Sequence, residues 1–229
     1  MLLEVTGLTK TYDEVPALVD LDLRVDRGAC VALVGHNGSG KTTAIGCIGG
    51  RVRPTAGRVL VDGTDAVTAR DPVAVRAMRS VVGDTAAFYP DLTVREHLEV
   101  VAVAHGLGHG TDAAIAALLD ELSLAHRADH LPQQLSAGMR QKVQLACGLV
   151  RPFDLLVLDE PAQYLDQQTT AWLLERIRAE RDRGAGVLLS SHDAGFVAEV
   201  ADEVLVLTDG RAEPRDAGPR DTGPSGGAP

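Results

Sequence analysis

The stretch "ACVALVGHNGSGKTT", residues 29–43, constrains the fold more than any other in the chain. Its first seven residues are continuously apolar, the pattern of a strand buried on both faces. The run passes straight into a glycine-rich loop and then into a helix that should extend to about Arg53, where Pro54 stops it. The loop fits G-x-x-x-x-G-K-[ST] without a mismatch, in the strand–loop–helix context the pattern requires. Glycines in such a loop let backbone N–H groups wrap phosphate oxygens, and the helix start adds roughly half a positive charge. Gly35, His36, Asn37, Gly38, Ser39, Gly40, Lys41, Thr42 and Thr43 are therefore the expected phosphate-binding set. Lys41 should reach the β- and γ-phosphates, and the Thr42 hydroxyl should ligate Mg²⁺.

The basic residues are nearly all arginine, with lysine only at positions 10, 41 and 142, so Lys41 stands out from the background. Acidic residues outnumber basic ones by 32 to 22, a net charge of −10, which argues against nucleic acid or an anionic lipid surface as the main partner. Cys30, Cys47 and Cys147 lack metal-ligand spacing and read as small buried hydrophobes in a reducing cytosol. No apolar run is long enough to span a membrane, and the chain opens directly into a strand pattern. A cytoplasmic protein is expected, without direct lipid insertion, so any part in membrane transport would need another chain.

"LLEVTGL" and "LVDLDLRVDRG" alternate apolar and polar residues, as half-buried antiparallel strands do. "GRVLVDG" (57–63) adds a strand between turn glycines. From about 84 to 150 the pattern becomes helical, with Thr93 and Glu96 forming a capping box ahead of "VREHLEVVAVA". Strands return at 154–160, 186–192 and 203–210, separated by a helix at roughly 169–183 and a short one at 194–200. The predicted class is α/β: a P-loop NTPase core with a mainly parallel sheet, an antiparallel β-subdomain near the N-terminus and an inserted α-helical subdomain. Residues 212–229, rich in Pro and Gly, read as a disordered tail. There is no internal repeat.

"LLVLDE" (155–160) ends an apolar strand on two adjacent carboxylates. After a phosphate loop, Asp159 should hold the magnesium, and Glu160 should polarise the attacking water, an effect worth about 10²–10⁴-fold. Acids at a strand end are otherwise simply solvated. His192 follows the next strand, where parallel sheets gather ligands, and can meet the γ-phosphate; a lone histidine is otherwise structural. A second helix start has the same character. In "QLSAGMRQK" (134–142), Ser136 is a plausible N-cap, and Ala137 and Gly138 leave the first N–H groups open to an anion.

Over residues 1 to about 210 the chain resembles the ATP-binding subunits of ABC transporters, with "LSAGMRQK" similar to their signature sequence. The resemblance implies ATP and Mg²⁺ as ligands and two ATPase subunits, identical or paired, that join head to tail. Ser136, Ala137 and Gly138 of one would then close on ATP held by the phosphate loop of the other. It also implies that Tyr12 stacks on adenine and that Asp166, in "YLD", lies in a dimer-contact loop. "YPDLTVREHL" (89–98) would touch a membrane-spanning permease, placing the protein on the inner face of the membrane through that partner. The domain would occupy 1–211.

Departures from the family pattern are specific. Ala137 and Met139 replace Gly and Gln of the signature, although "GMRQK" is similar to a variant frequent among bacterial exporters. "AQY" (162–164) replaces a stretch of small residues. The family's glutamine at the position of Asp84, which binds Mg²⁺ and the attacking water, is missing, and no glutamine precedes Gln133. Asp84 becomes the expected metal ligand there; capping the next helix or facing solvent is its alternative. The resulting expectation is an ATP-hydrolysing subunit that drives a separate permease. Export is favoured by "GMRQK" and by the absence of the regulatory C-terminal domain that sugar importers carry. Import, a soluble ATPase of the same family and a small-molecule kinase are the rivals.

Overall fold

The computed structural model describes residues 1–68, 72–85, 87–108 and 111–215. Four strands, β1 (Leu3–Tyr12), β2 (Val15–Val25), β4 (Ala56–Val61) and β5 (Thr64–Asp65), form an antiparallel sheet in the order β2-β1-β4-β5. The second sheet contains β3 (Cys30–Val34), β6 (Arg79–Val82), β7 (Leu155–Asp159), β8 (Gly186–Ser190), β9 (Glu203–Thr208) and β10 (Arg211–Arg215), in the order β10-β9-β3-β8-β7-β6. All its pairings are parallel except β9 with β10. The helices are α1 (Lys41–Ile48), α2 (Pro72–Ala77), α3 (Val94–Ala104), α4 (Thr111–Glu121), α5 (Ala137–Leu149), α6 (Gln167–Asp182) and α7 (Ala194–Val200). This is the predicted α/β arrangement. Among the described residues no helix is long and apolar enough to cross a membrane.

The apolar runs of β3, β7 and β8 are buried on both faces because alternate residues enter two different cores. Ala32, Leu156, Leu158, Val187 and Leu189 pack with α3 to α7. Val31, Leu33, Leu155, Val157 and Leu188 pack instead with α1 and the antiparallel sheet. Each leucine or valine among them contributes roughly 1.5–3 kcal/mol on burial. The sheet is thus clamped from both sides, and its carboxyl edge is left for the loops.

Three local features depart from the sequence expectation. Helix α1 ends at Ile48, short of Arg53, because Gly49 caps it and Gly50 (φ 77°) turns the chain back. Strand β6 was not anticipated: four residues, "RSVV", are too few to show a period. The proposed tail begins one strand too early, since Arg211–Arg215 pairs with β9, Ala212 opposite Leu207 and Glu213 opposite Val206. The cause is the two-residue turn Asp209–Gly210, with φ of 48° and 77°, the Asp-Gly hairpin signal. Edge pairing uses backbone groups, so the sparse apolar content of this segment does not prevent it. The remainder of the proposed tail, 216–229, lies outside the described residues.

Candidate active site

The carboxyl ends of β3, β6 and β7 and the loop after β8 open on one cavity of about 630 Å³. The glycine loop forms its floor. Gly40 (φ 104°) precedes α1 without a side-chain cap, so the first-turn N–H groups stay available to an anion. A Cβ on Gly40 would lie 2.5 Å from the Ala17 carbonyl oxygen, so only glycine fits this corner. Lys41 is 6% exposed. Its Nζ donates to the carbonyls of Gly35 (2.8 Å) and His36 (3.2 Å), and lies 3.9 Å from Glu160 Oε1. The ammonium is therefore held over the loop ready for phosphate oxygens. Gly35, His36, Asn37, Gly38, Gly40, Thr42 and Thr43 also line the cavity; Ser39 is fully buried beneath it.

Asp159 ends β7 and is 1% exposed. Burial pushes its carboxyl above the usual range; hydrogen bonds from the hydroxyls of Ser190 and Thr42 oppose this, and the charges of Asp84 and Glu160 reinforce it. A buried carboxylate beside a threonine hydroxyl, with two further acids near it, suits a small hard cation. Among the described residues no three His, Cys, Asp or Glu side chains form a cage. That donor set fits Mg²⁺, which takes one or two carboxylates and completes its shell with phosphates and waters. Asp84, two residues past β6, is exposed and lines the cavity.

Glu160 has φ 47°, a left-handed conformation that costs a non-glycine roughly 1–2 kcal/mol. Its N–H donates to Ser190 Oγ (3.0 Å) and Ser190 O (3.2 Å), which fixes the turn. The His192 backbone N–H donates to Glu160 Oε2 (3.2 Å), and His192 Nδ1 sits 2.8 Å from the same oxygen. The carboxylate is thus aimed into the cavity by β8 and its following loop, with Oε1 left for a proton.

Other predicted residues lie elsewhere. Ser136 caps α5, its Oγ accepting from the Met139 N–H at 3.2 Å, and with Ala137 it is exposed, outside the phosphate cavity. Tyr12 ends β1, 45% exposed, also outside the cavity, with Lys10 Nζ 4.8 Å from its ring centroid. Asp166 caps α6, and its carboxyl is pushed down to about 2 by the Thr169 N–H and hydroxyl and by Lys142. Sequence reasoning missed Ser190, although "LLSS" marked polar residues at the end of a buried strand. Gln163 was noted only as a departure and Gln144 not at all. Gln163 lines the cavity, and Gln144 on α5 donates to the Gly83 carbonyl beside Asp84 (2.8 Å).

Comparisons with known proteins agree with this geometry. Residues 18–163 match the ABC transporter family. The SkfA peptide export ATP-binding protein SkfE of Bacillus subtilis (strain 168) is 33% identical over 211 residues, covering 92% of this chain and 87% of the relative. A methionine import ATP-binding protein, MetN of Chromohalobacter salexigens, is 34% identical over 234 residues, covering 98% of this chain and 67% of the relative. The dimeric ATP-binding cassette MJ0796, in a post-hydrolysis state bound to ADP and Pi, superposes with a TM-score of 0.84 at 26% identity, covering 93% of this chain and 98% of that one. With residues 18–163 inside the family's domain and SkfE matched over 87% of its length, the chain belongs to the ABC transporter family as an ATP-binding, ATP-hydrolysing domain.

Proposed function

We propose that two copies of this chain, or this chain and a paired homologue, close around two MgATP and drive a separate membrane-spanning permease. One observation carries the reading: Glu160, held by His192, faces the cavity built by the phosphate loop, while Ser136 and Ala137 at the start of α5 lie exposed outside it. An anion-binding helix terminus outside its own chain's cavity is useful to a neighbouring chain's γ-phosphate. In the closed dimer the N–H groups of Ala137 and Gly138 and the α5 dipole neutralise charge developing on that phosphate. Glu160 takes the proton of the attacking water. Thr42, Asp159 and Asp84 are the residues that would hold Mg²⁺, which supplies charge neutralisation on the β- and γ-phosphates.

The permease partner is supported by a second cavity, of about 840 Å³, between β6, α2, α3 and α5. Its described lining includes Arg51, Arg76, Arg79 and Arg151 and no Asp or Glu, in a chain of net charge −10. Direction rests on the signature's likeness to exporters, against which the methionine import relative stands as support for import.

The test is sedimentation or light scattering with Mg²⁺ and a non-hydrolysable ATP analogue. The parent chain should dimerise, and Ser136→Arg should bind nucleotide yet remain monomeric. A parent that stays monomeric at saturating analogue, or a Ser136→Arg chain that no longer binds nucleotide, contradicts the two-chain site.

A further inference from the structure

Gln163 lines the phosphate cavity with Lys41, Asp84, Glu160 and His192. Its side-chain amide is engaged by no hydrogen bond among the described residues, whereas its backbone is tightly fixed. The Gln163 N–H donates to the Glu160 carbonyl at 3.1 Å. Glu160 and Tyr164 on either side both hold left-handed φ, 47° and 64°. Helix α5 clamps the same segment: Gln141 Nε2 donates to the Pro161 carbonyl (3.1 Å), and a Cβ on Gly138 would lie 2.6 Å from the Tyr164 carbonyl. A free carboxamide carried on a rigid, strained turn keeps its hydrogen-bonding capacity for a ligand of the cavity.

The wall opposite the glycine loop needs such a group. Glu160 Oε2 is occupied twice by His192, so one oxygen remains to receive a proton. Asp84 and Glu160, when ionised, only accept, and Lys41 only donates. A water held by Glu160 Oε1 alone can rotate about that single hydrogen bond. A second acceptor fixes its other proton, and a carboxamide supplies one without adding negative charge beside the γ-phosphate.

We infer that Gln163 is a catalytic residue whose Oε1 accepts from the attacking water while its Nε2 donates to a γ-phosphate oxygen. This rests on the reading of Glu160 as general base. In the step it assists, the water oxygen bonds to the γ-phosphorus, and the bond to the bridging β–γ oxygen breaks with its electron pair leaving on ADP. The water proton passes to the Glu160 carboxylate.

The experiment measures steady-state ATP hydrolysis by the full chain across pH, with nucleotide affinity and melting temperature alongside, for Gln163→Ala, Gln163→Glu and Glu160→Gln. Gln163→Ala should lose roughly 10²-fold in kcat, with KM for ATP within about twofold of the parent. Gln163→Glu keeps the side-chain volume but adds a carboxylate; it should be slow at neutral pH and partly recover as pH falls and the new carboxyl protonates, a response that a purely structural residue would not give. Should the alanine variant fail to melt cooperatively, the isosteric glutamate variant decides alone. Parent-like kcat in Gln163→Ala, or a parent-like pH profile in Gln163→Glu, overturns the inference. If that happens while Glu160→Gln is inactive, the general-base reading survives; an active Glu160→Gln removes it separately.

Discussion

Ser190→Ala tests how the corner around the buried Asp159 carboxyl is held together. The Ser190 side chain is fully buried, donates to Asp159 Oδ1 and accepts from the Glu160 N–H at 3.0 Å. Alanine leaves the Glu160 N–H its second acceptor, the Ser190 carbonyl at 3.2 Å, so that loss is small. Asp159 loses a charge-assisted hydrogen bond and keeps that of the Thr42 hydroxyl. Removing such a bond from a buried carboxylate costs about 1.5–3 kcal/mol. For a chain of 229 residues that corresponds to a fall in Tm of about 3–6 °C. Saturating MgATP should reduce the deficit, because a cation at Asp159 replaces the lost stabilisation. Scanning calorimetry of parent and variant, nucleotide-free and with MgATP plus Glu160→Gln in both backgrounds to prevent turnover, gives the two differences. A nucleotide-free Tm unchanged within about 1 °C, or a deficit that MgATP does not reduce, refutes the reasoning.

Asp84→Gln should preserve hydrolysis and weaken its dependence on Mg²⁺ concentration, whereas Asp84→Ala should lower turnover at least about tenfold. Titration of ATPase rate against free Mg²⁺ checks both, and parent-like curves for Asp84→Ala exclude it as a ligand. Asp166→Ala removes the N-cap of α6 and should cost about 0.5–2 kcal/mol. Because the folded Asp166 carboxyl lies near 2, below its ordinary 3.8, its stabilisation is complete above about pH 4 and fades as pH falls toward 2. The melting difference between parent and variant should narrow in that window; a constant gap would show that the carboxylate is not the source.

The glycine loop, the two-faced strands and the helix caps were legible because each is a local rule: Gly40 and Lys41 by spacing, Ser136 by capping chemistry, Leu155–Asp159 by uninterrupted apolarity. What escaped depends on pairing or approach across the fold. β6 is recognisable only beside β7, and β10 only once Asp209–Gly210 is seen to turn β9 back on itself. Ser190 and Gln163 acquire meaning from their neighbours in space: Ser190 from Asp159 on the adjacent strand, Gln163 from a turn that sets it in the wall of the phosphate cavity. Tyr12 was selected by likeness to a family and by no local rule, and it lies half-exposed at the end of β1.

The most direct measurement is single-turnover ATP hydrolysis by Glu160→Gln, read together with its oligomeric state in MgATP. Glu160 is the group the fold has oriented, by a left-handed turn, by Ser190 and by His192 at 2.8 Å. The account predicts hydrolysis slowed by about 10²-fold or more, unchanged ATP affinity and a dimer that persists while ATP remains. A variant that hydrolyses ATP at close to the parent rate would contradict it.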